Sequence, residues 1–303
     1  NPVVDIAMPD PTVIKAADGY FYVYATESTR NVPIMKSKDL VEWTYCNTAF
    51  TNKTRPRFEP KAGIWAPDIN YINGKYVLYY AMSVWGGEQT CGIGVATANS
   101  PQGPFTDHGK MFRSNEIGVQ NSIDPSLLQY EGRNYLVWGS FRGIYVIELT
   151  ADGLSIMPGA KKKRIAGTAF EAVYIHKYGD YYYMFASIGS CCQGVKSTYK
   201  VVVGRSKKVW GPYKDKTGKP MLKNGYSLVI GANDHFVGNG HGSQIIRDDA
   251  GQDWLLYHGF LRSTPENGRI LLLDQIKWDQ EGWPYVEGGS PSYETQKAPV
   301  FNN

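Results

Sequence analysis

One short pattern occurs five times along this chain, and it restricts the fold more than any other feature of the sequence. Each copy is a turn carrying a glycine, followed by an alternating, aromatic-rich stretch. The copies span Asp18–Ala25, Asn73–Tyr80, Glu131–Trp138, Tyr178–Phe185 and Ala250–Tyr257. Each reads as the second strand of a hairpin whose turn holds the glycine. A short strand is predicted before each turn, at Pro11–Lys15, Ile69–Ile72, Pro125–Tyr130, Ala172–Lys177 and Ser243–Arg247. Downstream, Ser100–Phe105 echoes Lys208–Tyr213, and Ser37–Trp43 fills a similar place; these read as outer strands. Strong helical periodicity with capping signals is missing. A four-stranded unit has two faces to cover, and only neighbours in a closed ring cover both. The expectation is an all-β, five-bladed β-propeller with residues 1–303 as a single domain. A β-sandwich would account for the strands but not for their fivefold recurrence.

Composition narrows what such a ring could bind. With 42% hydrophobic residues the chain can fill a large core, and its 22 Tyr and 8 Trp favour strands and platforms for flat ligands, sugars among them. The net charge of +4 is scattered, and the one dense basic run, Lys161–Arg164, reads as a solvated loop and not as a nucleic-acid surface. No apolar stretch approaches membrane-spanning length. No leader is visible before Asn1, so the chain reads either as cytoplasmic or as the mature form of an exported protein. Of four cysteines, Cys191 and Cys192 are adjacent; two packed thiols are the plainer reading and a vicinal disulfide the rarer one.

In a propeller the innermost strands line the axis, so residues opening them converge on one mouth. Reading that position along the repeats gives Asp10, Asp68, Asp124, Glu171 and His241. One Asp before a Pro is ordinarily a turn residue. Five ionisable groups in register are harder to dismiss, because crowded like charges are unfavourable unless they are used. Clustered carboxylates with separated pKa values are what glycoside hydrolysis requires: one ionised to activate water, another protonated to meet the leaving oxygen.

Several further segments carry a family resemblance over nearly the whole chain. They are Met8–Ile14, Gly63–Ile69, Tyr79–Ser83, Asn121–Ser126 and Trp138–Phe141, then Phe170–Tyr174, Tyr181–Ser187, Cys191–Gly194, Ser197–Lys200, Val203–Ser206, Gly211–Tyr213 and Gly240–Gly242. Together they resemble glycoside hydrolase family 43, and within it the arabinanases more than the xylosidases. The resemblance implies an inverting mechanism on α-1,5-linked L-arabinan, with Asp10 as general base, Glu171 as general acid and Asp124 orienting the acid and raising its pKa. It also implies that His241 sits on the axis near an ion, commonly calcium reached largely through water. Read on its own, His241 is equally a turn or core residue, since calcium prefers oxygen ligands.

Substrate contacts are expected from Trp65 as a stacking platform, with a core Trp as the plainer alternative, and from Asn121, which would hydrogen-bond a sugar hydroxyl unless it is simply a turn Asn. Trp85, Gly86, Ser140 and Phe141 match positions that line the family's cleft, although Trp85 could equally pack in the core. Asp68 is expected to support the site through backbone hydrogen bonds, Arg269 to touch a sugar, and His258 to pack within its strand. A monomer acting on a polysaccharide is expected, and that substrate argues for an extracytoplasmic location. The rival readings are an exo-acting arabinofuranosidase or β-xylosidase on the same scaffold, and a non-catalytic glycan-binding propeller, which would be expected to lack one carboxylate.

Overall fold

The computed structural model of the protein describes residues 1–302. The chain opens with β1 (Val4–Ala7), which finds its partner near the other end of the sequence. Four four-stranded antiparallel sheets follow in order. Blade 1 is β2 (Thr12–Lys15), β3 (Phe21–Tyr24), β4 (Pro33–Ser37) and β5 (Thr44–Thr48). Blade 2 is β6 (Gly63–Ile72), β7 (Lys75–Ser83), β8 (Gly92–Ala98) and β9 (Thr106–Arg113), followed by a four-residue helix, α1 (Ser114–Ile117). Blade 3 is β10 (Ser126–Tyr130), β11 (Arg133–Trp138), β12 (Ile144–Glu148) and β13 (Lys163–Ala166). Blade 4 is β14 (Glu171–Tyr178), β15 (Tyr181–Ile188), β16 (Lys200–Ser206) and β17 (Ser227–Ile230). Blade 5 contains β18 (Phe236–Gly240), β19 (Ile246–Arg247), β20 (Asp253–Leu261), β21 (Ile270–Trp278) and β22 (Pro284–Tyr285). The molecule is a five-bladed β-propeller. No helix among the described residues is long and apolar enough to cross a membrane.

The repeat glycines Gly19, Gly74, Gly132, Gly179 and Gly251 all have positive φ, and a Cβ on any of them would meet nothing within 4 Å. Glycine is therefore required there for backbone conformation and not for space. The aromatic strands that follow are buried on both faces, as β7 shows from Tyr76 to Ser83. Five hydrophobic clusters account for this, each filled by two adjacent blades. Tyr24 and Ile34 meet Leu78 and Tyr80 between blades 1 and 2, and Val13 and Phe21 meet Leu256 and Leu271 between blades 5 and 1. The other three clusters fill the remaining gaps.

Closure is non-covalent. Strand β1 pairs antiparallel with β21, and Asn1 adds side-chain bonds to Asp274 and to the Leu273 backbone N–H at 2.9 and 2.8 Å. This clasp carries Asp10, three residues past β1, to Arg269, one residue before β21. Two expectations change. Apart from Ser37, which ends β4, the segments Ser37–Trp43, Ser100–Phe105 and Lys208–Tyr213 are not strands but turns and loops that follow the third strands of blades 1, 2 and 4. Side-chain bonds such as Asp39 Oδ1 to the Val41 and Glu42 N–H groups stabilise a turn in the first of them. The fifth inner strand is split, with β18 and β19 both pairing with β20.

Candidate active site

Each inner strand enters the ring through a residue with left-handed backbone: Asp10 (φ 54°), Ala66 (42°), Asp124 (56°), Ala172 (54°) and His241 (53°). Such φ values are uncommon outside glycine and are held only where the surroundings demand them. This corrects the expected alignment. Asp10, Asp124 and His241 occupy the shared position, but alanines fill it in blades 2 and 4. Asp68 lies two residues beyond Ala66 and Glu171 one before Ala172. The cause is a register shift between Trp65 and Asp68 and another between Glu171 and Tyr174, at the entries of β6 and β14.

A cleft of about 740 Å³ opens at this mouth, bordered by Asp10, Trp65, Trp85, Gly86, Asn121, Asp124, Ser140, Phe141, Glu171, His241 and Arg269. Asp68 is not among its walls. It borders a separate axial void of about 20 Å³, next to Asp124 and His241. There Asp68 Oδ2 accepts from the Leu127 N–H at 2.8 Å and from Asn70 at 2.7 Å, while Oδ1 accepts from Gln244 Nε2 at 2.8 Å. Burial pushes its carboxyl up to about 7 against these donors.

Asp10 is held on both of its oxygens. Oδ1 accepts from Arg269 at 2.8 Å and from His241 Nδ1 at 3.1 Å, and Oδ2 accepts from Thr26 Oγ1 at 2.6 Å. Burial alone would raise its pKa, but Arg269 and His241 outweigh that and hold it well below the usual carboxylate range. His241 is affected in the opposite sense: burial would lower it, but Asp10, Asp124 and Glu171 push it up to about 9. It is an imidazolium at neutral pH. His258 Nδ1 accepts the Asp10 backbone N–H at 3.0 Å. Burial, then Arg269, hold His258 well below its ordinary pKa, so it is neutral with its proton on Nε2.

Glu171 accepts from Ser140 Oγ into Oε2 at 2.6 Å and from the Tyr199 hydroxyl into Oε1 at 2.5 Å. Burial raises its pKa, and the two hydroxyl bonds only partly oppose the rise. Asp124 is raised as well, by burial and by the neighbouring Glu171, with His241 opposing. Two neighbouring buried carboxyls cannot both ionise as readily as either alone, so between them they retain a proton to higher pH. Asp124 Oδ2 also accepts the Ala172 N–H at 3.1 Å, which fixes the backbone beside Glu171. Two other carboxylates border the cleft, but Glu27 is tied to Arg55 and Glu88 to Arg142.

Trp85 is 78% exposed and packs on Trp65 with ring centroids 5.5 Å apart, so it is a cleft residue and not a core one. A Cβ on Gly63 would meet Trp65 Nε1 at 2.5 Å; that glycine gives the indole its place. Asn121 borders the cleft, and its amide donates to Ser140 O and Oγ at 3.1 and 3.0 Å, which braces Ser140 and leaves Asn121 Oδ1 for a sugar hydroxyl. Cys191 and Cys192 are joined to each other, against the packed-thiol reading, and border the cleft. Arg269 borders the cleft and also reaches the base through Nη1, and His258 does more than pack in its strand.

Thr26, Ser187 and Tyr199 were not anticipated. Thr26 and Ser187, like Ser140, lie one or two residues past an aromatic repeat, and Ser187 Oγ accepts the His241 N–H at 2.8 Å. That recurring hydroxyl was the available signal. Tyr199 lies outside the repeats, and although it falls in the Ser197–Lys200 segment of the resemblance, nothing in that segment pointed to its bond with Glu171.

The family profile Glycosyl hydrolases family 43 matches residues 1–284. An extracellular endo-α-(1→5)-L-arabinanase of Bacillus subtilis is 37% identical over 91% of this chain and 86% of that protein. An extracellular exo-α-(1→5)-L-arabinofuranosidase of Cellvibrio japonicus is 36% identical over 92% of this chain and 86% of its own length. The solved structure of Cellvibrio cellulosa α-L-arabinanase with arabinohexaose superimposes with a TM-score of 0.85 at 33% identity, covering 95% of this chain and 97% of that one.

Proposed function

The chain belongs to glycosyl hydrolases family 43, and from that premise we propose an endo-acting, inverting hydrolase of α-1,5-linked L-arabinan with Asp10 and Glu171 as its working pair. One observation carries the assignment of the pair: two carboxyls on a single cleft are pushed in opposite directions, Asp10 down and Glu171 up. Asp10, held low by Arg269 and His241, is the group that takes a proton from water, and Glu171, raised by burial, is the group that brings a proton to the glycosidic oxygen. Water attacks the anomeric carbon as the bond to the leaving oxygen breaks. The water's proton goes to Asp10, and the proton of Glu171 goes to the leaving oxygen. Oε2 is the reacting oxygen of Glu171. Its partner Ser140 borders the cleft, whereas Tyr199, on Oε1, does not. Trp65 and Trp85 offer an apolar surface for arabinofuranose rings.

Calcium is the ion that the resemblance implies. Among the described residues no group of three His, Cys, Asp or Glu side chains could hold a metal. The axial void has room for about one water-sized body. The void has room for the ion itself, and the water ligands that calcium prefers would have to sit on its cleft side, where Asp124 and His241 border both spaces. His241 would hold it through Nε2, in place of the proton now there, because Nδ1 is committed to Asp10. When bound, the ion would supply fixed positive charge to the acidic cluster. Dialysis against chelator with elemental analysis would read the occupancy. We place the enzyme outside the cytoplasm, as the two relatives named extracellular are, and fractionation of the native host checks this.

The function is tested by incubation with debranched arabinan, branched arabinan and xylan, with products resolved by size and anomer. A ladder of oligosaccharides whose first-formed reducing ends are β-anomers is expected. A single product from the first turnover would establish exo action. Release from xylan alone would remove the arabinan assignment.

A further inference from the structure

Behind the cleft, the groups assigned as base and acid are joined by two buried rings. His258 is fully buried in β20 and accepts the Asp10 N–H through Nδ1 at 3.0 Å. Its other nitrogen, Nε2, has no hydrogen-bond partner among the described residues. A buried N–H left unpaired is unfavourable, and a leucine there would avoid it. The histidine is accounted for by its Nδ1, an acceptor that leucine lacks. Its ring stacks on Tyr199, with centroids 5.6 Å apart and planes within 8°. The Tyr199 hydroxyl in turn donates to Glu171 Oε1 at 2.5 Å. On the strand beside it, a Cβ on Gly240 would meet the Tyr199 ring at 2.2 Å, so the ring sits in a slot that only glycine leaves open.

We propose that Tyr199 and His258 form one positioning unit that holds the Asp10 and Glu171 carboxyl groups at their working separation. The proposal rests on the reading of those two as base and acid. Neither ring borders the cleft, so neither touches substrate. Asp10 sits in left-handed backbone at φ 54°, a conformation that relaxes unless it is held. His258 holds it at the N–H. Tyr199 holds the Glu171 oxygen that faces away from the cleft and so directs Oε2 outward. Because the rings stack, a displacement at one end is carried to the other. A shift of about 1 Å in a reacting group is worth up to about 100-fold in rate.

The experiment compares His258→Leu, His258→Asn, His258→Gln, Tyr199→Phe and Glu171→Gln on debranched arabinan and on an arabino-oligosaccharide with a 4-nitrophenolate leaving group. Asparagine places an acceptor near the position of Nδ1; glutamine places it near Nε2. His258→Leu is expected to lower kcat roughly 10- to 100-fold on both substrates with KM within about threefold, and His258→Asn to recover most of that loss. His258→Gln should resemble leucine, so the Asn and Gln pair carries the test if leucine prevents folding. Tyr199→Phe should lower kcat on arabinan more than on the activated substrate, which needs little acid help. A protein carrying both His258→Leu and Tyr199→Phe should lose less than the product of the single losses. Unchanged kcat in a folded His258→Leu protein, equal impairment by Asn and Gln, or a loss carried by KM would overturn the proposal. Glu171→Gln separates the two levels: if it keeps arabinan activity, the acid assignment itself fails. If it is inactive while the His258 variants are normal, only the positioning unit fails.

Discussion

Blade 2 and blade 4 each begin their inner strand with a register shift and an alanine in left-handed backbone, Ala66 and Ala172. Each then presents a buried carboxyl whose pKa burial has raised, Asp68 and Glu171. The two are put to different uses. Asp68 faces the axial void and is held by Leu127, Asn70 and Gln244. Glu171 borders the cleft and meets two hydroxyls, one of them at the cleft wall. Blade 2 instead gives the cleft its two tryptophans. Burial raises a carboxyl's pKa wherever it occurs; access to substrate decides whether the proton is of any use.

The sharpest way to break this contrast is to neutralise both acids. Glu171→Gln should lower kcat on arabinan by about 10² to 10⁴, the range ordinarily lost with a general acid, while Asp68→Asn stays within a few-fold of wild type. Steady-state rates on debranched arabinan decide it. A large kcat loss in Asp68→Asn would mean that the axial void, and not cleft access, governs the chemistry.

Asp68 should show itself instead in stability. Its folded pKa of about 7 lies above the unfolded value, so the folded state binds the extra proton between about pH 4 and pH 7. Over that window, rising pH removes stability from the wild type, by an amount on the order of a few kcal/mol. Asp68→Asn lacks the titration. Its stability relative to wild type should therefore climb from pH 4 to pH 7 and level off above. Urea melts at spaced pH values measure the slope, and a flat difference would show that the donors around Asp68 keep it ionised throughout.

The repeats were legible because a positive-φ glycine and a doubly buried aromatic strand are both written in residue types, at Asn73–Tyr80 as at Tyr178–Phe185. Asp10 and Asp124 could be aligned by inspection, since both directly precede Pro and an unshifted inner strand. Asp68 and Glu171 could not, because the shifts at Trp65 and Glu171 leave no mark in composition. His258 was read as a strand residue, and its contact with Asp10 spans 248 positions and exists only once β1 clasps β21. Tyr199 was invisible for the same kind of reason: its partner Glu171 belongs to another strand of the blade, and a slot at Gly240 admits its ring.

Asp124 tests how far blade 4 depends on a neighbour. The charge of Glu171 raises Asp124, and by Coulomb reciprocity a charged Asp124 disfavours the charged form of Glu171 in turn. Asp124→Asn removes that repulsion. The alkaline limb of kcat/KM against pH should move to lower pH, by about one unit, with activity at neutral pH reduced accordingly. Loss of activity with an unmoved limb would show Asp124 acting only through its bond to the Ala172 N–H.

The smallest effect should come from the exposed half of blade 2. Trp85 projects into the cleft at 78% exposure, with Trp65 as its only aromatic neighbour among the described residues within ring-stacking range, so little of the fold rests on it. Its removal takes away stacking area for a sugar ring, worth about 1 kcal/mol. Trp85→Ala should raise KM for arabinan roughly fivefold, leave kcat within about twofold, and leave the melting temperature unchanged. The loss should shrink on oligosaccharides too short to reach the tryptophan. If blade 2 binds while blade 4 reacts, the Trp85 variant moves KM and the Glu171 variant moves kcat. A Trp85→Ala protein that lost kcat at constant KM would place the indole at the reacting ring, and the division of labour between the two blades would have to be abandoned.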